Sequence, residues 1–281
     1  MNRWGFAFSR RWLGYLACAI VFAIACGCLS AWQLARSKEA QAANALVTAN
    51  FDSRAVPLAD ALHGLSAYSP SQEWKRVTAT GVYLRDEQLL VRNRPTDAGP
   101  GFEVLTPLRL ADGSRFIVDR GWVPTGSNNG NPDFVPPAPA GTVTVTVRLK
   151  GSEPRIDGRT SSGNQVPTIE LHDIAARLGG AVHTGAYGIL QSQTPPGRAG
   201  LTPLLSTPPM SDVGLHWSYM IQWVIFALIG FFGLGYAIRT EYRHRYEDEP
   251  DVQERAVERE RRAAKKAPSD ADVEDELLNQ L

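Results

Sequence analysis

His216 is the residue of this sequence whose neighbours are most informative about chemistry. On a helix it shares a face with Tyr219, Met220 and Trp223. An imidazole at a membrane edge can ligate haem iron, and aromatic rings beside it can pack on a porphyrin. The same residue types also form the aromatic belt at a membrane–water interface. The residues alone leave both interpretations open.

The segment Val118–Pro124 is the second candidate, because the charged pair Asp119-Arg120 directly precedes Gly121-Trp122. One interpretation is a partner-docking surface formed by Arg120, Gly121 and Trp122. The other is structural: Gly121 lets Trp122 close one end of a barrel, while Arg120 pairs with an acidic residue. We favour the structural interpretation and keep docking as the alternative.

Familiar catalytic motifs are missing from the sequence. It contains no HExxH, CxxC, CxxCH or GxSxG pattern. The sequence therefore does not support a zinc protease helix, covalently attached c-type haem or the nucleophile elbow of a hydrolase. The three cysteines, Cys18, Cys26 and Cys28, all lie in one apolar segment near the N-terminus. We therefore expect a protein that is not an enzyme, with an anchored hydrolase as the weaker alternative.

Two uncharged segments, Trp12–Leu34 and Trp217–Ile238, contain 23 and 22 residues. Roughly 20 apolar residues are enough for a helix to cross a bilayer. The sequence therefore predicts transmembrane helices over 12–34 and 216–238. The competing interpretation of the first segment is a cleaved signal peptide, but its apolar run exceeds the usual length of about 7–15 residues.

Charge predicts the orientation of these helices. Three arginines lie just before the first segment and three follow the second, whereas the facing ends carry few basic residues. By the positive-inside rule, both termini (1–11 and the charged tail 239–281) are cytoplasmic, in a multi-pass plasma-membrane protein in contact with lipid. Residues 35–215 then form an extracytoplasmic domain. Residues 37–215 carry 16 basic and 16 acidic residues, which gives no reason to expect nucleic acid as a partner.

The exported segment reads mainly as β-strands separated by turns. Thr142–Leu149 alternates apolar and polar residues, and Asp112-Gly113 separates two apolar runs as in a hairpin. Further strands are predicted over 74–83, 88–94, 102–110, 115–123 and 187–193, with short helices over 57–65 and 172–178. This pattern predicts a β-rich α+β domain, an antiparallel barrel or sandwich, flanked by the two transmembrane helices.

Four local motifs together resemble the surfeit locus protein one family of cytochrome c oxidase assembly factors. They are Trp32–Arg36 (WQLAR), Gly101–Leu108 (GFEVLTPL), Val118–Pro124 (VDRGWVP) and Gly214–Trp223 (GLHWSYMIQW). Their order and spacing agree with the family from about residue 12 to residue 238. The charged tail is similar to an actinobacterial extension. Leu215 and Gln222 depart from the residues that many members have there.

The resemblance implies a role in the maturation of oxidase subunit one and, for bacterial members, haem a bound through a histidine of the second helix. Only His216 fits that position, with Tyr219 and Trp223 packing on the macrocycle. The implied partners are oxidase subunit one and haem a synthase. The alternative is a cofactor-free membrane scaffold that docks oxidase subunits.

Overall fold

The structure is a computed structural model that describes residues 4–127, 130–246, 254, 257–258 and 261–262. It divides into two compact units, residues 1–37 with 213–281, and residues 38–212. Each unit is described by itself. Most of the predicted tail lies outside the described residues.

The named α-helices of the described chain are α1 (Arg10–Asn50), α2 (Leu58–Ala61), α3 (Leu171–Leu178) and α4 (Val213–Tyr246). The strands are β1 (Val56–Pro57), β2 (Arg76–Tyr83), β3 (Leu89–Val91), β4 (Gly101–Leu110), β5 (Arg115–Pro124), β6 (Thr142–Gly151), β7 (Gln165–Val166) and β8 (Ala186–Thr194).

The first unit is an antiparallel pair formed by α4 and the N-terminal part of α1. Residues spaced by three, four or seven face the seam and are at least partly buried: Trp12, Ala19, Ala23, Cys26, Ser30 and Gln33 on α1, and Val213, His216, Met220, Trp223, Ala227 and Gly230 on α4. Such spacing approximates a 3.5-residue period and suits left-handed helix packing. The outward apolar residues are exposed, and both helices are long and apolar enough to cross a membrane.

The second unit is built around a closed barrel of five strands. The ring runs β2–β6–β8–β5–β4, and β4 returns to β2 through the pairing of Leu108–Leu110 with Gly81–Tyr83. The remaining strands β1, β3 and β7 extend the sheet beside β2 and β4. The prediction of a β-rich domain is therefore confirmed, and of its two alternatives the barrel is correct.

Burial along β6 follows the predicted alternation except at Arg148, which was expected on the polar face and is buried. Val143, Val145, Val147 and Leu149 of β6 are buried, whereas Thr142 and Thr144 are exposed. The β4–β5 hairpin turns at Asp112-Gly113 as predicted, and Asp112 Oδ1 accepts a hydrogen bond from the Ser114 N–H at 2.9 Å. A second apolar cluster, which includes Ile169, Leu171 and Ile174, packs under α3.

The two ends of the second unit are held together. Asn44, in the C-terminal part of α1, donates from Nδ2 to the Ser211 carbonyl at 2.8 Å and accepts from the Ser211 N–H at 2.8 Å. The chain therefore enters and leaves this unit at neighbouring points. Two membrane-spanning segments flanking one domain require this arrangement.

Three details differ from the sequence predictions. The helix expected over 57–65 is a single turn, α2, because Leu62 adopts an extended conformation. The two-residue strands β1 and β7 were not predicted. The barrel is also not purely antiparallel, since β5 and β8 pair in parallel through Val118–Gly188 and Asp119–Ile189.

Candidate functional site

His216 lies in the first turns of α4 and bonds across the seam to α1. Its Nδ1 is 3.0 Å from Gln33 Oε1. Gln33 belongs to the WQLAR motif and His216 to the GLHWSYMIQW motif. Two motifs separated in the sequence by the whole second unit thus meet in one hydrogen bond within the helix pair.

This hydrogen bond determines what the imidazole can do. An amide oxygen only accepts, so Nδ1 of His216 carries the proton when it faces Gln33 Oε1. The neutral ring then has an unprotonated Nε2, which makes no hydrogen bond to any residue that the structure describes. Histidine ligands of metals characteristically have the other ring N–H anchored by an acceptor in this way.

The two predicted aromatic neighbours of His216, Trp223 and Tyr219, differ in how far they are buried. Trp223 is partly buried, with its ring 5.9 Å from Phe226 in an edge-to-face arrangement. Tyr219 lies at the margin of the same helix face and is 48% exposed. The seam below His216 contains a further polar contact, from Ser30 Oγ to the Met220 carbonyl at 3.2 Å. The site therefore combines one anchored imidazole, one half-buried indole and one exposed phenol.

The cysteines of α1 do not add a metal site. Cys26 is buried in the seam, whereas Cys18 and Cys28 are exposed. Within the described ranges, no group of three or more His, Cys, Asp or Glu residues could hold a metal ion.

Trp122 and Gly121 are buried in the second unit and fix the segment around Thr202. The main chains of Trp122 and Thr202 exchange two hydrogen bonds of 2.9 Å, and the Trp122 indole donates to the Arg94 carbonyl at 2.7 Å. Gly121 has a φ of +129°, and a Cβ there would lie 2.7 Å from the Thr202 carbonyl oxygen. The structure thus provides a packing reason for glycine and tryptophan, and the docking role stays a prediction.

Arg120 is only 4% exposed, and its partners are not the ones expected. Its Nη1 donates to the Pro136 carbonyl at 3.1 Å and to Gln88 Oε1 at 3.3 Å, and its guanidinium lies 5.7 Å from the Tyr83 ring centre. The expectation that Arg120 pairs with an acid is wrong among the described residues: two neutral oxygens and a ring face take that place.

A partly buried acidic cluster lies beside this segment and was not predicted from the sequence. Arg94 Nε is 2.9 Å from Glu103 Oε2, and Arg94 also bonds Glu153. Asp119 is buried near them, and its carboxylate accepts the Gly121 N–H at 3.1 Å. Its members come from strands and loops far apart in the sequence, so only the barrel topology brings them together.

Burial and mutual charge separate the pKa values of these carboxyl groups. Burial, reinforced by the Glu103 charge, raises the pKa of Asp119 well above its usual range. Burial also raises the pKa of Glu103, against the attraction of Arg94. Burial acts to raise the pKa of Glu153, but hydrogen bonds from the Ile169 N–H, the Thr168 hydroxyl and Arg94 bring it below its usual value.

Sequence comparison agrees with the motifs that meet in these sites. A model of the SURF1 family matches residues 20–228. The chain belongs to the SURF1 family. Uncharacterized SURF1-like proteins of Mycobacterium bovis and Mycobacterium tuberculosis are 34% identical to it over 251 residues, which cover 87% of this chain and 90% of theirs. A SURF1-like protein of Monosiga brevicollis is 32% identical over 140 residues, 44% of this chain and 48% of that protein.

SURF1 membership confirms the family resemblance, and the mycobacterial relatives fit an actinobacterial member. The SURF1 family is a membrane-anchored family of cytochrome oxidase assembly factors, which agrees with the two long apolar helices. The matched residues include Gln33, Arg120 and His216.

One serine–histidine contact in this SURF1 protein bears on the hydrolase alternative. Ser114 Oγ lies 3.5 Å from His183 Nε2, but it donates its proton to Asp112 Oδ1 at 2.6 Å. In an activated nucleophile the serine donates to the histidine, and the carboxylate bonds the other ring nitrogen. The order here is different, and His183 is buried. This contact therefore gives no activated serine.

Proposed function

We propose that this protein assists cytochrome c oxidase assembly by holding haem a for its insertion into subunit one, with His216 as a ligand to its iron. The observation that carries the proposal is the 3.0 Å contact between His216 Nδ1 and Gln33 Oε1. It leaves Nε2 as the nitrogen with a free lone pair, on a helix face that also carries Trp223.

The residues at this position fit a porphyrin cargo. Bound haem a would supply an iron that accepts one imidazole nitrogen. Gln33 would orient the ring and keep its tautomer, and the indole of Trp223 and the phenol of Tyr219 would offer aromatic surface beside it. His216 supplies a single ligand, so release of the cargo requires the loss of one protein bond.

His216 has no competitor nearby on the helix pair. The other described histidine of α4 is His244, 28 residues further along, which corresponds to about 42 Å of helix at 1.5 Å per residue. The remaining histidines, His63, His172 and His183, belong to the second unit. Substitution of His216 therefore tests the ligand assignment without another histidine nearby on the helix pair to replace it.

We infer further that both termini are cytoplasmic, so that His216 lies at the outer end of α4. The support is the excess of arginine at the N-terminal end of α1 and the C-terminal end of α4, the ends away from His216. The exported barrel would then dock oxidase subunit one, and haem a synthase is the corresponding candidate donor. The alternative function, a cofactor-free scaffold for oxidase subunits, keeps this topology and predicts a colourless protein.

The test is the visible spectrum of the detergent-purified protein after co-expression with haem a synthesis enzymes. We expect a haem a spectrum for the wild type and for His63→Ala, which replaces an exposed histidine of the other unit. We expect His216→Ala to lose most of the bound haem while remaining in the membrane. A colourless wild-type protein would favour the scaffold, and its partner would then be sought by cross-linking to oxidase subunits.

Variants of Gln33 test the anchoring hydrogen bond separately from the ligand. Removing the acceptor with Gln33→Leu should weaken haem a binding by about 10- to 100-fold, the usual effect of losing a partner that orients a metal ligand. Gln33→Glu keeps an acceptor oxygen, so it should retain haem and shift the iron to a lower reduction potential. Equal affinity for Gln33→Leu and the wild type would show that the contact does not orient the ligand.

A further inference from the structure

A cavity of about 330 Å³ in the second unit is lined by Arg120 and by residues of β8 and the segment that follows it. The lining contains the two cations Arg120 and Arg198, the amides Gln191 and Gln193, and the apolar residues Leu190 and Leu201. None of the described residues that line it is acidic. Arg198 and Gln191 are exposed, so the cavity opens to the surface.

Arg120 has an unused hydrogen-bonding edge. Both of its protein hydrogen bonds come from Nη1. Its Nε is buried without a partner, and its Nη2 makes no hydrogen bond to a described residue. The Nε and Nη2 groups of a guanidinium form the parallel fork that bonds both oxygens of a carboxylate. Burial also lowers the pKa of Arg120, as expected for a charge with incomplete compensation.

The two glutamines add donors rather than acceptors. Gln191 Oε1 accepts from Arg76 Nε at 2.9 Å, and Gln193 Oε1 accepts from the Tyr83 hydroxyl at 3.0 Å. Each amide oxygen therefore already accepts one hydrogen bond, and each NH2 group is available as a donor. With the two arginines, the polar side of the cavity is rich in donors, which matches an anion.

We propose that this cavity binds the carboxylate of a small organic anion, with Arg120 and Arg198 bonding the carboxylate and Leu190 and Leu201 contacting its apolar part. A buried cation without a counter-charge is costly, and an incoming carboxylate would relieve that cost. The site lies wholly within the second unit and involves neither His216 nor haem. It therefore does not rest on the proposed function.

Thermal unfolding of the full-length protein in detergent tests the site with acetate and valerate as probes, at ionic strength held constant with chloride. Valerate should raise the Tm with the logarithm of its concentration once the site fills, by about 3–6 °C at ten times its half-saturating concentration. Acetate should need a concentration up to about 60-fold higher for the same Tm increase, because it lacks three methylenes of valerate and each buried methylene contributes about fourfold in affinity.

Arg198→Gln replaces an exposed side chain and should raise the half-saturating concentration of valerate at least threefold. Arg120→Gln should abolish the Tm increase, and Arg109→Gln, which replaces an exposed arginine outside the cavity, should leave it unchanged. His216→Ala should also respond as the wild type does. No increase in Tm with valerate in the wild type, or the same increase in Arg198→Gln and Arg109→Gln, would overturn the proposal even if Arg120→Gln failed to fold.

Discussion

Gly121→Ala tests how β5 holds the segment around Thr202. The backbone of Gly121 has a φ of +129°, which a residue with a Cβ adopts at a cost of about 1–3 kcal/mol. The new Cβ would also lie 2.7 Å from the Thr202 carbonyl oxygen, a backbone atom that must move away. This movement breaks the two Trp122–Thr202 hydrogen bonds, worth about 0.5–1.5 kcal/mol each. The expected destabilisation is therefore about 2–6 kcal/mol.

The matched control is Gly113→Ala in the β4–β5 turn. Gly113 also has a positive φ, +82°, but nothing lies within 4 Å of a Cβ placed there. Its substitution should cost only the strain of about 1–2 kcal/mol. The measurement is thermal unfolding in detergent, followed by tryptophan fluorescence. We expect the Tm of Gly121→Ala to fall about 2–12 °C below that of Gly113→Ala, because the two broken hydrogen bonds add about 1–3 kcal/mol. Equal Tm values would refute the close packing of Thr202 on Gly121.

Three other predictions concern charge, core packing and topology. Because the pKa of Asp119 is raised in the folded protein, its burial lowers the stability progressively as the pH rises above the pKa of about 3.9 in the unfolded chain. The Tm of Asp119→Asn should therefore rise relative to that of the wild type between pH 4 and pH 8. A Tm difference that stays the same over this range would contradict the prediction. Leu149→Ala, in the barrel interior, should cost about 2–5 kcal/mol in unfolding experiments, whereas the exposed Leu65→Ala should cost well under 1 kcal/mol. For the topology, the native cysteines are first replaced by serine. An impermeant maleimide applied to spheroplasts should then label Ser127→Cys but not Ser9→Cys. The reverse labelling pattern would show that the orientation in the membrane is the opposite of the one predicted.

Local patterns were sufficient to predict the longer elements. The alternation in β6 and the Asp-Gly turn between β4 and β5 are properties of consecutive residues, and both appear where they were expected. The strands β1 and β7 contain two residues each, too few for any periodicity, and they exist only because β2 and β3 offer an edge. Barrel closure likewise depends on the β2–β4 pairing, which no local pattern encodes.

In the candidate sites too, the residues were found from the sequence, whereas their contacts depend on the fold. His216 and the WQLAR motif were each found from the sequence, but their hydrogen bond joins residues 183 positions apart and needed the helix pair. The expected acidic partner of Arg120 was wrong, because the barrel places the Pro136 carbonyl, Gln88 and the Tyr83 ring around it. Nearby residue types in the sequence do not reveal which oxygen reaches a buried guanidinium.

The haem a content per mole of purified protein tests the central claim most directly. Wild type and His216→Ala would be co-expressed with haem a synthesis enzymes, purified in parallel and assayed as the pyridine haemochrome, with His63→Ala as control. We predict that wild type and His63→Ala retain comparable haem a and that His216→Ala retains less than about a tenth of it. Equal haem a in all three proteins would contradict ligation by His216, and no haem a in any of them would contradict the haem-binding function itself.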